Sequence, residues 1–483
     1  MSTSTYLISA AYTWSQFAPV FYLVGLAVLL LLADAFLPRA PKQAFPIIGA
    51  IGTFLVGCFM LKGAYARPFG LLACGGTALC LLMLRDYRAI VADSVAGGGS
   101  EEGSTELSVL PIIACAGVCA LTQAKDLVML FVSLETITLA SYAMAGYFRR
   151  NQGSIEAGVK YLILGAISTG ILVMGAAWFF GTTGSFALIP QLELTALCSP
   201  FLCTGFLIAI SMLTAAALFK VGAVPMHSWI PDVYQGAPTP ISAFLAVVSK
   251  AAGFVVLILL FRPISLIAAN TSPALVQPIV YGIGFIAALT LLVGNLGAIR
   301  QGNAKRLLGY SSIGQAGFIL VFFVRLHASL VSEVWFYLVA YGLATIAAFA
   351  AITQLRIQRG HEEISAFRGL GKTNPRTAFL ITVSFASLAG VPLTGGFLAK
   401  LYSFRSLWHA MNQWESLGYW LLPIMIICAT AGFYYYFKVL RAMYWEKPAE
   451  DDAPVSFSPT SLTLLSISAL GLIGVGTLPL IFG

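Results

Sequence analysis

The chain has 483 residues, of which 59% are hydrophobic and 10% charged, with a formal net charge of +8. Soluble domains carry about 25% charged residues, so this composition excludes a soluble globular protein, whose several cores would need far more polar surface. The positive balance fits basic loops on the cytoplasmic side of a membrane better than a nucleic-acid interface.

The first 16 residues contain no Lys or Arg. The basic start of a cleaved signal peptide is therefore missing, and the first apolar run, 17–37, is expected to stay as a span. Further runs long enough to cross a bilayer follow at 45–63, 68–90, 107–123, 126–147, 157–180, 200–225, 239–261, 274–297, 304–324, 330–354, 376–404, 416–440 and 459–481. The expected fold is an all-α integral membrane protein of about fourteen transmembrane helices. Two stretches read as connections. Residues 91–106, with Gly97-Gly98-Gly99-Ser100, read as a flexible cytoplasmic linker. Residues 181–199 read as an outer loop with some local structure.

Charge placement orients the spans. Of 27 Lys and Arg, Lys160, Lys220, Lys250 and Lys400 fall inside apolar runs, leaving 23. With the N-terminus outside, 17 of these, Lys305 and Arg306 among them, lie in inner loops. Six (Lys62, Arg67, Lys125, Arg262, Arg325 and Arg405) lie in outer loops. A miscount of one helix would scramble this asymmetry, so both termini are expected outside.

Two spans share an unusual interruption. One contains Gly222-Ala223-Val224-Pro225, the other Ala389-Gly390-Val391-Pro392, each with a lysine nearby. A proline there breaks the helix and frees backbone carbonyls. The spans are the seventh and twelfth, an odd offset, so they cross in opposite senses. Helices broken at Pro225 and Pro392 in two inverted halves suit a transport fold with ion sites near the midplane. Membrane helices also tolerate Pro and Gly widely, so this pattern alone does not decide.

Five ionisable residues lie within apolar runs: Glu135, Lys160, Lys220, Lys250 and Lys400. Each buried charge costs about 2.5–3.5 kcal/mol on insertion scales. Lys160 is near a span end and can snorkel to the interface. A structural ion pair explains one Glu–Lys contact, but one carboxylate cannot neutralise three lysines. A buried lysine that exchanges its proton can act as a relay. His227, beside the first break, titrates near neutrality when unperturbed and is a candidate for the same polar path. Cys115 and Cys119 lie one helical turn apart, a spacing that suits a soft metal. Small residues in tight helix packing are the simpler reading, and no zinc or disulfide pattern occurs.

The stretch Pro225-Met226-His227-Ser228-Trp229-Ile230-Pro231-Asp232-Val233-Tyr234-Gln235-Gly236-Ala237-Pro238-Thr239-Pro240 resembles the antiporter-like subunits of respiratory complex I, the NADH:quinone oxidoreductase. Its Asp232-to-Pro238 wording is similar to the subunit N branch, related to mitochondrial ND subunit 2. Lys305-Arg306-Leu307-Leu308-Gly309-Tyr310-Ser311-Ser312, Leu388-Ala389-Gly390-Val391-Pro392, Gly396-Phe397-Leu398-Ala399-Lys400 and Tyr434-Tyr435-Tyr436 extend the resemblance, in order, over about Leu107 to Arg441.

The resemblance implies fourteen helices with two inverted five-helix halves. The chain then divides into residues 1–106 (three spans and linker), 107–262 (first half), 263–447 (second half) and 448–483 (last span). It implies a proton-translocating subunit of the bacterial inner membrane, packed beside M-, K- and J-type subunits and lipid, with no nucleic acid. No cofactor binds this chain; NADH, flavin, iron–sulfur clusters and quinone belong to the wider complex. By position, Glu135 matches the family's fifth-helix glutamate and Lys220 its partner at the seventh-helix break. Lys250 matches the connecting lysine, and Lys400 the twelfth-helix residue facing the second half-channel. Lys160 and His227 match polar-axis positions. Gln315 stands where many relatives have histidine, so a role there must run through ordered water. The rival readings are a subunit of a sodium/proton antiporter or hydrogenase-linked complex of the same fold, a stand-alone solute transporter, and a non-conducting scaffold.

Overall fold

The computed structural model describes residues 14–36, 44–60, 67–96, 105–188, 200–270, 273–327, 329–448 and 455–482. The helices are, in order, α1 (Ala18–Phe36), α2 (Phe45–Phe59), α3 (Arg67–Ala96), α4 (Glu106–Leu121), α5 (Leu127–Ala145), α6 (Gln152–Thr183), α7 (Pro200–Val221), α8 (Trp229–Gly236) and α9 (Thr239–Phe244). They continue as α10 (Lys250–Asn270), α11 (Pro273–Ile299), α12 (Ala304–Leu320), α13 (Leu330–Arg359), α14 (Leu370–Thr373), α15 (Pro375–Ala389), α16 (Gly395–Ala410), α17 (Glu415–Trp445) and α18 (Pro459–Phe482). Eleven helices are long and apolar enough to cross a membrane, and α2, α4 and α15 are shorter apolar helices, among the described residues.

Polar side chains mark where the long apolar runs begin. Asp126, Asn151 and Asn303 cap α5, α6 and α12 by accepting from Met129 N, Ser154 N and Arg306 N. Each satisfies a helix-start donor that has no partner within the helix. In a bilayer, apolar surface gains little by leaving lipid, so helices associate through close packing of small residues. Gly294 and Gly314 meet in this way where α11 crosses α12. A Cβ on Gly294 would stand 2.2 Å from Gly314 N.

The core lies at 239–262, 304–324 and 330–359, which are mostly buried, whereas 14–36 and 152–183 turn most of their surface outward. That outer surface carries Phe21, Leu29, Ile163, Ile167 and Trp178, side chains suited to lipid.

Two connections differ from expectation. Residues 91–96, expected as linker, continue α3, and 97–104 lie outside the described residues. Residues 181–183 complete α6, while 189–199 lie outside the described residues. The apolar run 376–404 holds two helices, α15 and α16, because the chain leaves helical geometry at Gly390 (φ +90°).

α7 and α15 end in the same way. The N–H groups of Gly222 and Ala223 bond to Phe219 O and Leu218 O, and those of Gly390 and Val391 bond to Ser387 O and Ala386 O. This is the Schellman pattern, which needs a left-handed residue. Gly222 (φ +76°) and Gly390 supply it without the strain a Cβ would bring. Residues 222–228 and 390–394 are not helical, and helices resume at Trp229 and Gly395.

Candidate functional site

Glu135 and Thr138 lie on one face of α5, three residues apart. The half-buried Glu135 carboxylate accepts from Thr169 Oγ1 on α6 at 2.8 Å. Lys220, buried in the last turn of α7, donates to Thr138 Oγ1 at 2.8 Å. The ammonium and the carboxylate thus each end on a threonine rather than on one another. Lys220 Nζ also stands 5.9 Å from the centre of the Tyr161 ring, a weak cation–π contact. Tyr161 stacks on Trp229 at 4.4 Å, and Trp229 Nε1 donates to Phe219 O at 3.0 Å. That indole is a second donor to a carbonyl in the last turn of α7, which also accepts from Gly222 N. A cavity of about 70 Å³, lined by Ser168, Phe219, Pro225, Met226 and Ser228 among others, adjoins the interruption. His227 is half-buried in the same segment, and its Nδ1 is buried without a hydrogen-bond partner.

The segment 229–240 is strapped onto α12. Arg306 donates to Asp232 Oδ1 at 2.7 Å and to Gln235 Oε1 at 3.0 Å. Lys305 Nζ donates to Ala237 O at 2.6 Å and reaches Glu362 at 3.3 Å, a carboxylate that also accepts from Thr239. Lys160 Nζ is 2.7 Å from Asp232 Oδ2 and 2.5 Å from Glu156. Lys160 is therefore a partly exposed ion-pair residue, unlike the three buried lysines. Asp232 lies in α8, outside the apolar spans. Burial alone would raise its carboxyl, but Lys160 and Arg306 outweigh it and hold the group below the usual carboxylate range.

A polar line crosses the interior from Lys250 to Lys400. The π-helical turn Leu245–Ser249 precedes α10, a local widening often found at functional positions. Just after it, buried Lys250 donates to Ser312 O at 2.6 Å and to Ser312 Oγ. Adjacent Ser311 shares a hydrogen bond with Tyr436 OH. Gln315, one turn further along α12, donates through Nε2 to Tyr436 OH and to Leu388 O, both at 3.1 Å, and accepts from Tyr337 OH. Lys400 donates to the same Leu388 O at 3.0 Å and to Ala389 O at 2.7 Å. These carbonyls end α15, the negative pole of its dipole. A cavity of about 10 Å³ lined by Gln315, Tyr337, Tyr341, Ser387 and Leu388 lies on this line, close to the volume that holds one water. Among the described residues, none of Lys220, Lys250 and Lys400 is ion-paired with a carboxylate.

Two features escaped the sequence reading. Lys305, counted as an inner-loop charge, is 2% exposed and ion-paired. Its partner Glu362 is 57 residues away, and no spacing signal joins them. Ser311, Ser312 and Gln315 stood within recognised motifs, and their spacing on an apolar helix was the available sign of a polar face. Tyr337 gave none.

A bundle of apolar helices with three buried lysines that face no carboxylate, two of them beside glycine-capped helix ends, fits an antiporter-like membrane protein. Residues 124–425 match the family described as NADH:quinone oxidoreductase/Mrp antiporter, TM. NADH-quinone oxidoreductase subunit N of Brevibacillus brevis is 33% identical, over 97% of this chain and 94% of that protein. A chain of respiratory complex I from Thermus thermophilus with bound Aureothin superposes with a TM-score of 0.77 at 28% identity, covering 95% of this chain and 97% of that one. A chain of the archaeal membrane-bound sulfane sulfur reductase, at 22% identity and a TM-score of 0.80, shares the fold over 97% of this chain and 96% of its own. The chain belongs to the NADH:quinone oxidoreductase/Mrp antiporter family and, within it, to the NADH-quinone oxidoreductase subunit N family.

Proposed function

We propose that this membrane-arm subunit moves protons along Glu135, Lys220, Lys250 and Lys400, with Gln315 and Tyr436 bridging the last two. The observation that carries the reading is a line of polar groups from Lys250 to Lys400: Lys250 bonds to Ser312, the neighbouring Ser311 bonds to Tyr436, and Gln315 joins Tyr436 to Leu388 O, which Lys400 also reaches. Proton exchange at these lysines breaks hydrogen bonds but no ion pair. Gln315 does not titrate; it holds the single water that the adjoining cavity admits. Between Lys220 and Lys250, the buried hydroxyls of Tyr161 and Ser249 lack hydrogen-bond partners, and a water joining them would complete the path. Glu135 and Lys220 act as a switchable pair, apart in the arrangement described here and closing when the carboxylate leaves Thr169. Lys160 and His227 serve the entrance: the first through Asp232, the second from the interrupted segment whose Met226 and Ser228 line the 70 Å³ cavity.

The matching caps of α7 and α15 support reading the chain as two inverted halves, with helices interrupted at Pro225 and Pro392. The three shorter apolar helices, if they also cross, complete fourteen spans. Basic loops support both termini outside. M-, K- and J-type subunits are the proposed neighbours, and NADH, flavin, iron–sulfur and quinone chemistry is placed elsewhere in the complex.

The test is NADH-driven proton pumping in membrane vesicles carrying assembled complex. Lys220→Ala and Lys220→Arg are both expected to lose coupled pumping, because arginine keeps a charge it cannot give up. Pumping at the normal proton-to-electron ratio in Lys220→Ala would make the subunit a scaffold.

A further inference from the structure

We infer that Cys74, Cys115, Cys119 and Met60 form a binding site for a soft monovalent cation of the Cu(I) class. Cys115 and Cys119 share one face of α4. Packing of α3 brings Cys74 Sγ to 3.7 Å from Cys115 Sγ and 3.8 Å from Cys119 Sγ. The Met60 thioether, at the end of α2, lies 3.8 Å from Cys119 Sγ. The three thiol sulfurs all lie within 4.8 Å of one another. Sulfurs bound to one metal at about 2.3 Å must stand about 3.8–4.0 Å apart in tetrahedral or trigonal geometry. The cluster has nearly that spacing already.

The surroundings are built to admit the sulfurs. A Cβ on Gly57 would meet Cys74 Cβ at 2.9 Å, and one on Gly70 would meet Met60 Cε at 2.4 Å and Sδ at 2.9 Å. Thr77, one turn beyond Cys74 on α3, is fully buried, and its hydroxyl has no hydrogen-bond partner. It faces Cys115, where it can donate to a thiolate.

Charge selects the cation. All four sulfur residues are at most 2% exposed, and net charge in such surroundings is costly. Cu(I) with a single thiolate is neutral. Binding breaks one S–H bond, forms one copper–thiolate bond, releases that proton to solvent and changes no oxidation state. A thioether is a good ligand for Cu(I) and a poor one for harder divalent ions. Met60 ends α2, Cys119 is two residues from the end of α4, and Cys74 is two turns into α3. The cluster is thus within about 10 Å of the helix ends, an accessible depth for an entering ion.

The experiment titrates the full chain, purified in detergent and reduced, with Cu(I) buffered by bicinchoninate. One copper per chain is expected, with near-ultraviolet thiolate-to-copper absorption and about one proton released per copper. Cys115→Ser and Cys74→Ser should weaken uptake about 100-fold, while Cys80→Ser and Cys428→Ser, at buried thiols outside the cluster, should not. Met60→Leu, which keeps the packing, should weaken uptake about 10-fold and stays informative if a cysteine variant fails to fold. Equal uptake by wild type and Met60→Leu or Cys115→Ser, or no stoichiometric uptake by wild type, would overturn the site. A preference for Zn(II) over Cu(I) would overturn the choice of cation.

Discussion

Lysines within or against the bundle reach different polar partners, and the partner sets what each can do. Lys305 faces Glu362, and Lys160 faces Asp232 and Glu156, so removing either amine takes a cation away from a carboxylate. Lys250 and Lys400 face carbonyl and hydroxyl oxygens. Lys250→Met should therefore assemble normally yet lower NADH-driven proton pumping tenfold or more, about 1.4 kcal/mol in barrier. Normal pumping in vesicles would sink the role given to Lys250. Lys305→Met should instead destabilise the fold, because the half-buried Glu362 carboxylate loses its ammonium partner and keeps only the Thr239 hydroxyl. Melting in detergent measures this, and Lys305→Met with Glu362→Gln should recover most of the loss. Asp232 adds a pH signature. Its carboxyl is held low by Lys160 and Arg306, so its contribution is present at neutral pH and lost as pH falls through the lowered value. Asp232→Asn should melt below wild type at neutral pH, and the two curves should converge in acid.

At the scale of the helix, the paired endings of α7 and α15 set where the lysines can reach. Gly222→Ala must place a side chain in a left-handed backbone, a strain of about 1–2 kcal/mol. Its Cβ would also stand 1.8 Å from Ile230 Cδ1, so the Ile230 side chain must move. Gly181→Ala, in α6 with open space around it, is the control and should be neutral or slightly stabilising. Equal melting temperatures for the two variants would remove the special status of Gly222. The interruptions were legible in the sequence because Gly and Pro carry their backbone rules with them. That Lys400 turns back to the carbonyls of Leu388 and Ala389 was not legible. It depends on how α16 leans across the end of α15, and no local pattern encodes that angle. The apolar runs were likewise plain, and the run 376–404, marked by Gly390 and Pro392, holds α15 and α16. The third cysteine of the sulfur cluster was invisible for the same reason: Cys74 lies 41 residues from Cys115, and only the packing of α3 on α4 joins them.

Across the whole molecule, outward-facing apolar helices surround an interior that is buried and locally polar. The orientation read from basic loops predicts that cysteine replacing Ser100, a position outside the described residues, reacts only with reagents that reach the cytoplasm. Labelling from the outer face of sealed cells would reverse the topology. The strap of residues 229–240 has a mechanical meaning beyond its hydrogen bonds. Asp232 holds Lys160 of α6 with one carboxylate oxygen and Arg306 of α12 with the other, each at 2.7 Å. A rigid carboxylate cannot follow two anchors that drift apart by more than about an ångström and keep both contacts within hydrogen-bond range. It ties α6 and α12 together at one point. A small shift of α6 is therefore shared with the helix that carries Ser312 and Gln315 for as long as both side-chain contacts hold.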